Sequence, residues 1–349
     1  GLSLLPVLLT FFLGAVSFAA YMVPAYLPGP AESDNVFTMN LYDQNYYLQA
    51  KEQEEEALFL MEKFSGTVDV RRRLCFEGAI EGWALTDTNE LSFRLYHDLR
   101  VKEITGDGIL YFEQDGDTVH IFHEADTGWK KGEPVLMNIR YEGDSSPYFY
   151  ANERAVFLPA YFNWLPCPGA GNAMRISKEG ITKLYPVPVF ARNEVLYDLV
   201  CLGKHEFYTN LTQEADGHFR GLSDAGVYLL SSDHLRTYPF EGGEIVSCMR
   251  LSEEFAKKAG SLLAGYVKEL QEEKEQASDH AYRILLVPHH VFANTASFDY
   301  AFQNTIYSDA RMWQVIQGYS RESLEESLMR SAVSAVEQFQ TRNAALFVP

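Results

Sequence analysis

The sequence has few basic residues and no internal repeat. Its 349 residues include 29 lysines and arginines against 48 aspartates and glutamates, a formal net charge of -19. A chain this acidic repels phosphate groups, so nucleic acid and anionic lipid are disfavoured as direct partners. No motif recurs at a fixed spacing of about 20 to 50 residues, which argues against a solenoid.

Cysteine is also scarce. Cys75, Cys167, Cys201 and Cys248 stand far apart in the sequence and form no C-x-x-C pair. The spacing excludes a zinc ribbon and a thioredoxin-type redox motif. Buried thiols are the favoured interpretation, and disulfides are the alternative.

Apolar and aromatic residues are plentiful. Hydrophobic side chains make up 47% of the chain and aromatic side chains 14%. Because a single core rarely grows beyond roughly 250 residues, this composition predicts about two folded domains.

An uncharged run occupies residues 2–27. A helix needs about 20 mainly apolar residues to cross a bilayer, so the run predicts a transmembrane helix within residues 1–28. A cleaved signal peptide is the alternative, although no basic segment precedes the run. The first charges after it, Glu32 and Asp34, are acidic. We therefore expect a cell-membrane protein whose soluble part is extracytoplasmic.

Residues 29–65 predict a juxtamembrane amphipathic helix that acts as a linker. An acidic run is followed there by apolar residues grouped at 58–64, as on one face of a helix. We expect this segment to lift the next domain off the membrane.

From residue 66 to residue 250, short runs alternate apolar and polar residues between glycine-containing turns. This period of two predicts a large antiparallel β-sheet domain. Residues 107–122 predict a hairpin, with Leu110 and Phe112 on one face and Val119 and Ile121 on the other.

Residues 251–349 change to a helical pattern. Residues 252–276 predict a helix with Ser252 as its N-cap, residues 282–290 a buried strand, and residues 322–346 a second helix. The fold class is therefore α+β, with an α/β domain beginning near residue 251.

The order of these elements resembles a known family. The runs "LSFRLYHDLRVKEITGDGILYFEQDGDTVHIF" and "GEPVLMNIRYEG", with "YFNWLPCPG" at 161–169, resemble the N-terminal β domain of M1 (gluzincin) aminopeptidases. The resemblance covers residues 68–340. It implies a saddle-like β-sheet domain followed by the start of a thermolysin-like α/β domain. A transmembrane helix before such a domain resembles the M1-like ectodomains attached to ABC-2 type transporter permeases, which implies a permease or ATPase partner.

The resembled family binds zinc through H-E-x-x-H on a helix, because residues at i and i+4 share one face and the intervening glutamate acts as general base. This chain contains no such motif. The helix expected at that place, with residues 327–339 at its centre, has no histidine. His289 and His290 are adjacent on a predicted strand and point opposite ways, so they cannot easily share a metal. We expect no catalytic residues and no cofactor here.

A degenerate substrate-binding segment is predicted at "YAFQN". In the resembled family a G-x-M-E-N strand lines the substrate cleft, and its glutamate receives the free amino group of the peptide. Here Tyr300 replaces the glycine and Gln303 replaces the glutamate, while Asn304 is retained. The charge that pairs with an ammonium is lost, but a neutral hydrogen-bond acceptor remains.

Three functions fit the sequence. The favoured one is a non-catalytic M1-like domain of a membrane-anchored protein that binds peptides or a partner. The second is an active zinc aminopeptidase whose metal-binding helix lies after residue 349. The third is an unrelated surface domain that shares only the architecture, because a fold does not fix a function.

Overall fold

The computed structural model describes residues 43–50, 55–124, 128–177, 183–186, 193–273, 280–288, 300–302 and 304–343. All of them fall within the unit Asn40–Pro349. The predicted membrane segment, residues 1–28, lies outside these ranges. Within them, no helix combines the length and the apolar character that crossing a bilayer requires.

The described chain is mixed α+β and mostly sheet, which confirms the predicted fold class. Its helices are α1 (Gln44–Gln49), α2 (Glu253–Glu272), α3 (Ala310–Ile316) and α4 (Arg321–Asn343). Its strands are β1 (Phe59–Asp69), β2 (Leu74–Ala84), β3 (Glu90–Arg94), β4 (Arg100–Thr105), β5 (Ile109–Asp115), β6 (Thr118–His123), β7 (Pro134–Gly143), β8 (Tyr150–Ala151), β9 (Ala155–Leu158), β10 (Cys167–Pro168), β11 (Met174–Ser177), β12 (Lys183–Pro186), β13 (Val195–Leu202), β14 (Tyr208–Thr209), β15 (Thr212–Ala215), β16 (His218–Ser223), β17 (Leu229–Ser232), β18 (Arg236–Phe240), β19 (Gly243–Ser247), β20 (Tyr282–Val287), β21 (Tyr300–Phe302) and β22 (Thr305–Asp309).

A seven-stranded sheet dominates the β-rich part, in the order β15-β16-β13-β1-β2-β7-β4. Its pairs are antiparallel except β1 with β13, which run parallel, so the predicted antiparallel domain holds with one exception. Alternate residues of neighbouring strands face the core, and the rings of Phe64 and Phe76 stack there with centroids 4.5 Å apart.

The predicted linker helix is wrong from Phe59 onward. Among the described residues of the segment, only Gln44–Gln49 is helical, and β1 already begins at Phe59. Phe59, Met61 and Phe64 are all buried against the sheet core. This segment is a strand because the sheet buries these side chains. The grouping of apolar residues, which resembles a helix face, does not determine its conformation.

The hairpin predicted over residues 107–122 is confirmed as β5 and β6, inside a four-stranded sheet. The predicted faces are not. Phe112 lies directly opposite Ile121, so these two side chains share one face. A bulge between Ile109 and Tyr111 shifts the register, and Leu110 is exposed. A one-residue bulge exchanges the faces of a strand, and no alternation pattern reveals it.

The second layer is a five-stranded sheet in the order β18-β19-β20-β22-β21, with α2 and α4 packed against it. The sequence pattern predicts that β18 and β19 belong to the β domain, but they pair within this sheet. The second layer therefore begins at Arg236 rather than near residue 251. β19 and β20 run parallel, with α2 as the crossover between them, and such a connection joins elements distant in sequence.

The helices of this layer follow the sequence closely. Ser252 caps α2, since its hydroxyl oxygen accepts a hydrogen bond of 3.3 Å from the Phe255 amide. The second predicted helix, 322–346, appears as α4. Leu328, Ala332 and Ala335 are buried on one face of it.

All four cysteines lie within the described residues, and all four are free thiols. Cys167 and Cys201 are buried, Cys75 is half-buried and Cys248 is exposed. Burial raises the pKa of the Cys201 thiol to about 12, so this group stays protonated.

Candidate functional site

The predicted substrate-binding segment lies at one edge of the five-stranded sheet. β21 is the last strand in the order and pairs antiparallel with β22, which puts Tyr300 opposite Tyr307. Gln303 lies outside the described residues. Asn304 begins the turn back into β22.

Asn304 ties this turn to the start of β20. Its side-chain amide nitrogen donates a hydrogen bond of 2.9 Å to the carbonyl of Ala281. Its own carbonyl accepts one of 2.7 Å from the backbone amide of Arg283. Two hydrogen bonds to consecutive parts of one strand therefore fix the position of Asn304.

Asn304 also lines an open cleft of about 1020 Å³ between the two layers. The seven-stranded sheet contributes residues at the ends of β13 and β16, and the five-stranded sheet contributes the β18–β19 turn and the start of β20. The lining residues are Glu194, Asn210, Leu222, Ser223, Asp224, Pro239, Gly242, Gly243, Glu244, His280, Ala281, Tyr282, Arg283 and Asn304.

The cleft carries an excess of negative charge. Its carboxylates belong to Glu194, Asp224 and Glu244, and its one guanidinium to Arg283. The Nε atom of Arg283 lies 3.9 Å from Oε1 of Glu244, and both side chains are about a third exposed, so this pair is weak. A positively charged group of a ligand would meet more carboxylates than guanidinium groups here.

A pair of tyrosines behind the cleft holds Glu244 in place. The Tyr208 hydroxyl donates a hydrogen bond of 2.5 Å to Oε1 of Glu244. The Tyr208 ring stacks on Tyr228, with centroids 6.1 Å apart and an interplanar angle of 15°. Burial raises the pKa of Tyr228 to about 12, although Arg283 beside it lowers that pKa. Both hydroxyls therefore remain protonated, and Tyr208 stays a donor to Glu244.

The zinc site of the resembled family does not fit the residues present beside this cleft. The helix packed on β21 and β22 is α4, whose sequence contains neither histidine nor cysteine. Elsewhere, His120 on β6 is bound to Glu90 at 2.7 Å, as expected of a strand residue. His289 and His290 lie outside the described residues. In the described part of the chain, one group is spaced to hold a metal ion: Asp43, His97 and Asp98, in the β-rich layer.

The sequence predicted Asn304 but missed the other polar residues of the cleft. Glu194, Asp224, Glu244 and Arg283 come from four separate turns and strand ends, and no motif spacing links them. Only the docking of the two sheets brings them together.

Comparisons with known proteins find distant structural likeness. No family model matches the chain, and no curated protein matches it. A crystal structure of an M1 zinc metallopeptidase from Deinococcus radiodurans is similar to it at 10% identity and a TM-score of 0.43, over 74% of this chain and 62% of that chain. A point mutant of an M1 zinc metallopeptidase from the same organism is similar at 10% identity and a TM-score of 0.45, over 79% and 65%. The chain thus spans 62% to 65% of the length of these structures. A likeness this distant assigns neither a family nor an activity.

Proposed function

We propose that this chain is a non-catalytic, M1-aminopeptidase-like domain that binds peptides in the cleft at Asn304. The main support is that Asn304, which the sequence predicts as a substrate-binding residue, lines a cleft of about 1020 Å³ that also contains three carboxylates. A cleft of this size accommodates several residues of a peptide.

The charge of the cleft supports a cationic ligand group, such as the free amino terminus of a peptide. Gln303 cannot supply the charge that the resembled family places at this point. Glu244 supplies a negative charge from a different strand, and the hydrogen bond that it accepts from Tyr208 holds its carboxylate in position. A charge-assisted hydrogen bond to an ammonium is stronger than a neutral one.

We propose that the chain does not hydrolyse peptides, because the residues beside the cleft lack the usual zinc ligands. Zinc-dependent peptide hydrolysis needs imidazole or carboxylate ligands on one helix face and a nearby base. α4 offers no histidine at the place where the resemblance implies the metal helix. An active aminopeptidase with its metal helix after residue 349 is the competing function, and peptide cleavage by the longer protein would reveal it.

We further propose that the domain is held at the cell membrane by residues 2–27, on the extracytoplasmic side, with an ABC transporter permease or ATPase as a partner. The support is the uncharged run itself and the acidic residues that follow it. Alkaline extraction of membranes tests the anchor: the full chain should stay in the pellet, and release into the supernatant would contradict it.

The binding test uses fluorescence anisotropy with a short peptide free of lysine and arginine, carrying its dye at the carboxyl end. The free-amine peptide should bind the full chain at least tenfold more tightly than its N-acetylated form, a difference of about 1.4 kcal/mol. Glu244→Gln should remove that preference. Glu103→Gln, an exposed glutamate on β4 outside the cleft, should keep it. Equal binding of the two peptides, or an unchanged preference in Glu244→Gln, would overturn the proposal.

A further inference from the structure

A second polar cluster lies in the β-rich layer and plays no part in the cleft. His97 and Asp98 follow β3, Asp43 precedes α1, and Asp117 occupies the turn between β5 and β6. His97 is 7% exposed and Asp117 1% exposed. These residues are brought together from three separate segments of the chain.

The two nitrogens of the His97 ring face different partners. Nδ1 lies 2.8 Å from Oδ1 of Asp117 and donates its proton to that carboxylate. In the neutral ring Nε2 then carries a lone pair, and it faces two further carboxylates. Nε2 lies 3.5 Å from Oδ2 of Asp43 and 3.9 Å from Oδ1 of Asp98.

These separations suit an ion placed between the three groups. A direct charge-assisted hydrogen bond measures about 2.7 to 2.9 Å, which is shorter than both distances. Ligands about 2.0 to 2.1 Å from a tetrahedral metal lie roughly 3.3 Å from one another. The ligand atoms of Asp43 and Asp98 lie 3.5 Å and 3.9 Å from Nε2, within about 0.6 Å of that spacing, and all three atoms lie within 4.8 Å of one another.

The surroundings orient the three ligands. Asp117 accepts further hydrogen bonds from the His97 amide at 2.8 Å, the Tyr47 hydroxyl at 2.9 Å and the Ala173 amide at 2.7 Å, so it cannot turn away from the ring. The Tyr96 hydroxyl donates to Oδ2 of Asp43 at 2.5 Å and lies 3.4 Å from Oδ2 of Asp98. A carboxylate on the distal nitrogen of a histidine is the usual outer support of a metal-binding imidazole.

The negative charge around His97 also favours a bound cation. Three carboxylates surround one imidazole, and the side chains of Asp43 and Asp117 are 12% and 0% exposed. Buried negative charge in excess needs a compensating cation.

We propose that Asp43, His97 and Asp98 form a divalent metal site, with Zn²⁺ favoured because one ligand is an imidazole. The Asp98 side chain is 36% exposed, so water reaches the remaining coordination position. Because Asp43 immediately precedes α1, the bound ion fastens α1 to the β-rich layer. None of the three residues lines the cleft, so this site is independent of the proposed peptide binding.

The test is titration of the chelator-stripped full chain with Zn²⁺ by calorimetry, and with Co²⁺ by visible absorption. We expect one ion per chain and a Co²⁺ spectrum of low coordination number. The isosteric variants Asp98→Asn and Asp43→Asn should each weaken Zn²⁺ binding at least tenfold. His120→Gln is the matched control, a histidine with a single carboxylate partner, and should bind as the unaltered chain does.

Circular dichroism establishes that the variants are folded. The unaltered chain gives a readout that needs no variant: its thermal unfolding temperature should rise with Zn²⁺ and not with equal Mg²⁺. No ion bound, affinity unchanged in both aspartate variants, or an equal rise with Mg²⁺ would overturn the assignment.

Discussion

The side-chain amide of Asn304 donates a hydrogen bond of 2.9 Å to the carbonyl of Ala281, just before the start of β20. This contact links the turn after the edge strand β21 to the segment that supplies Ala281, Tyr282 and Arg283 to the cleft wall. The geometry of the cleft therefore depends on a residue outside its charged groups.

Asn304→Ala removes this hydrogen bond. We expect a stability loss of about 0.5 kcal/mol, at the low end for a hydrogen bond, because Ala281 is exposed and its carbonyl regains water. Peptide affinity should fall about tenfold, since the cleft wall loosens. Urea unfolding and anisotropy measure the two effects. Asn138→Ala, an exposed asparagine on β7, should change neither. Full peptide affinity in Asn304→Ala would remove Asn304 from the site.

Gly116→Ala should destabilise the contact between α1 and the hairpin of β5 and β6. A Cβ atom at Gly116 would collide with the Tyr46 hydroxyl oxygen, and φ there is +59°. Tyr46 would have to move, and its hydroxyl accepts a hydrogen bond of 3.2 Å from the Asp117 amide. We expect the free energy of unfolding in urea to fall by about 2 to 4 kcal/mol, because backbone strain adds to the loss of a partly buried hydrogen bond.

Gly132→Ala separates the two contributions to that loss. Gly132 has φ of +81°, but no described atom lies within 4 Å of the position that a Cβ atom would take, so only backbone strain remains. It should cost about 1 kcal/mol. Equal losses in the two variants would show that the Tyr46 contact contributes nothing.

Ser252→Ala should cost about 1 kcal/mol of stability, because the first turn of α2 loses the acceptor for the Phe255 amide. Ser252→Asp should restore most of it, since aspartate also caps and its charge favours the helix N-terminus. Thermal unfolding measured by circular dichroism compares them. An aspartate variant as unstable as the alanine variant would argue against capping.

Tyr208→Phe should cost about 1 kcal/mol, at the low end for a hydrogen bond to a charged group, because Glu244 is partly exposed and regains water. The preference for a free-amine peptide should also weaken, since Glu244 loses its fixed position. Tyr111→Phe, an exposed tyrosine on β5, is the control for both readouts. An unchanged preference would separate Tyr208 from the binding site.

Local patterns predicted much of the fold. The cap at Ser252, the hairpin of β5 and β6 and the helix α4 all follow from residues near each other in sequence. The start of β1 was harder to predict. Phe59, Met61 and Phe64 are all buried against the sheet, but the register shift between Met61 and Lys63 interrupts the alternation of apolar and polar residues. The membership of β18 and β19 in the second sheet depends on parallel pairing with β20, which α2 separates from β19 in the sequence.

The polar sites were harder to predict. Asn304 was found because it belongs to a short motif. Asp43, His97 and Asp98 carry no spacing signal, since a turn before α1 and the end of β3 meet only after folding. The same holds for Glu244 and its neighbours in the cleft. Zinc content alone therefore does not decide between binding and catalysis, because the His97 cluster offers metal ligands away from the cleft.

The most direct test of the proposed function is the fate of a bound peptide. The full chain, supplied with Zn²⁺, is incubated with a panel of free-amine peptides, and bound and unbound fractions are analysed by mass spectrometry over several hours. Peptides should be retained by the unaltered chain and recovered intact, and Glu244→Gln should retain less of them. Release of amino-terminal amino acids by the unaltered chain would overturn the non-catalytic function and establish a peptidase.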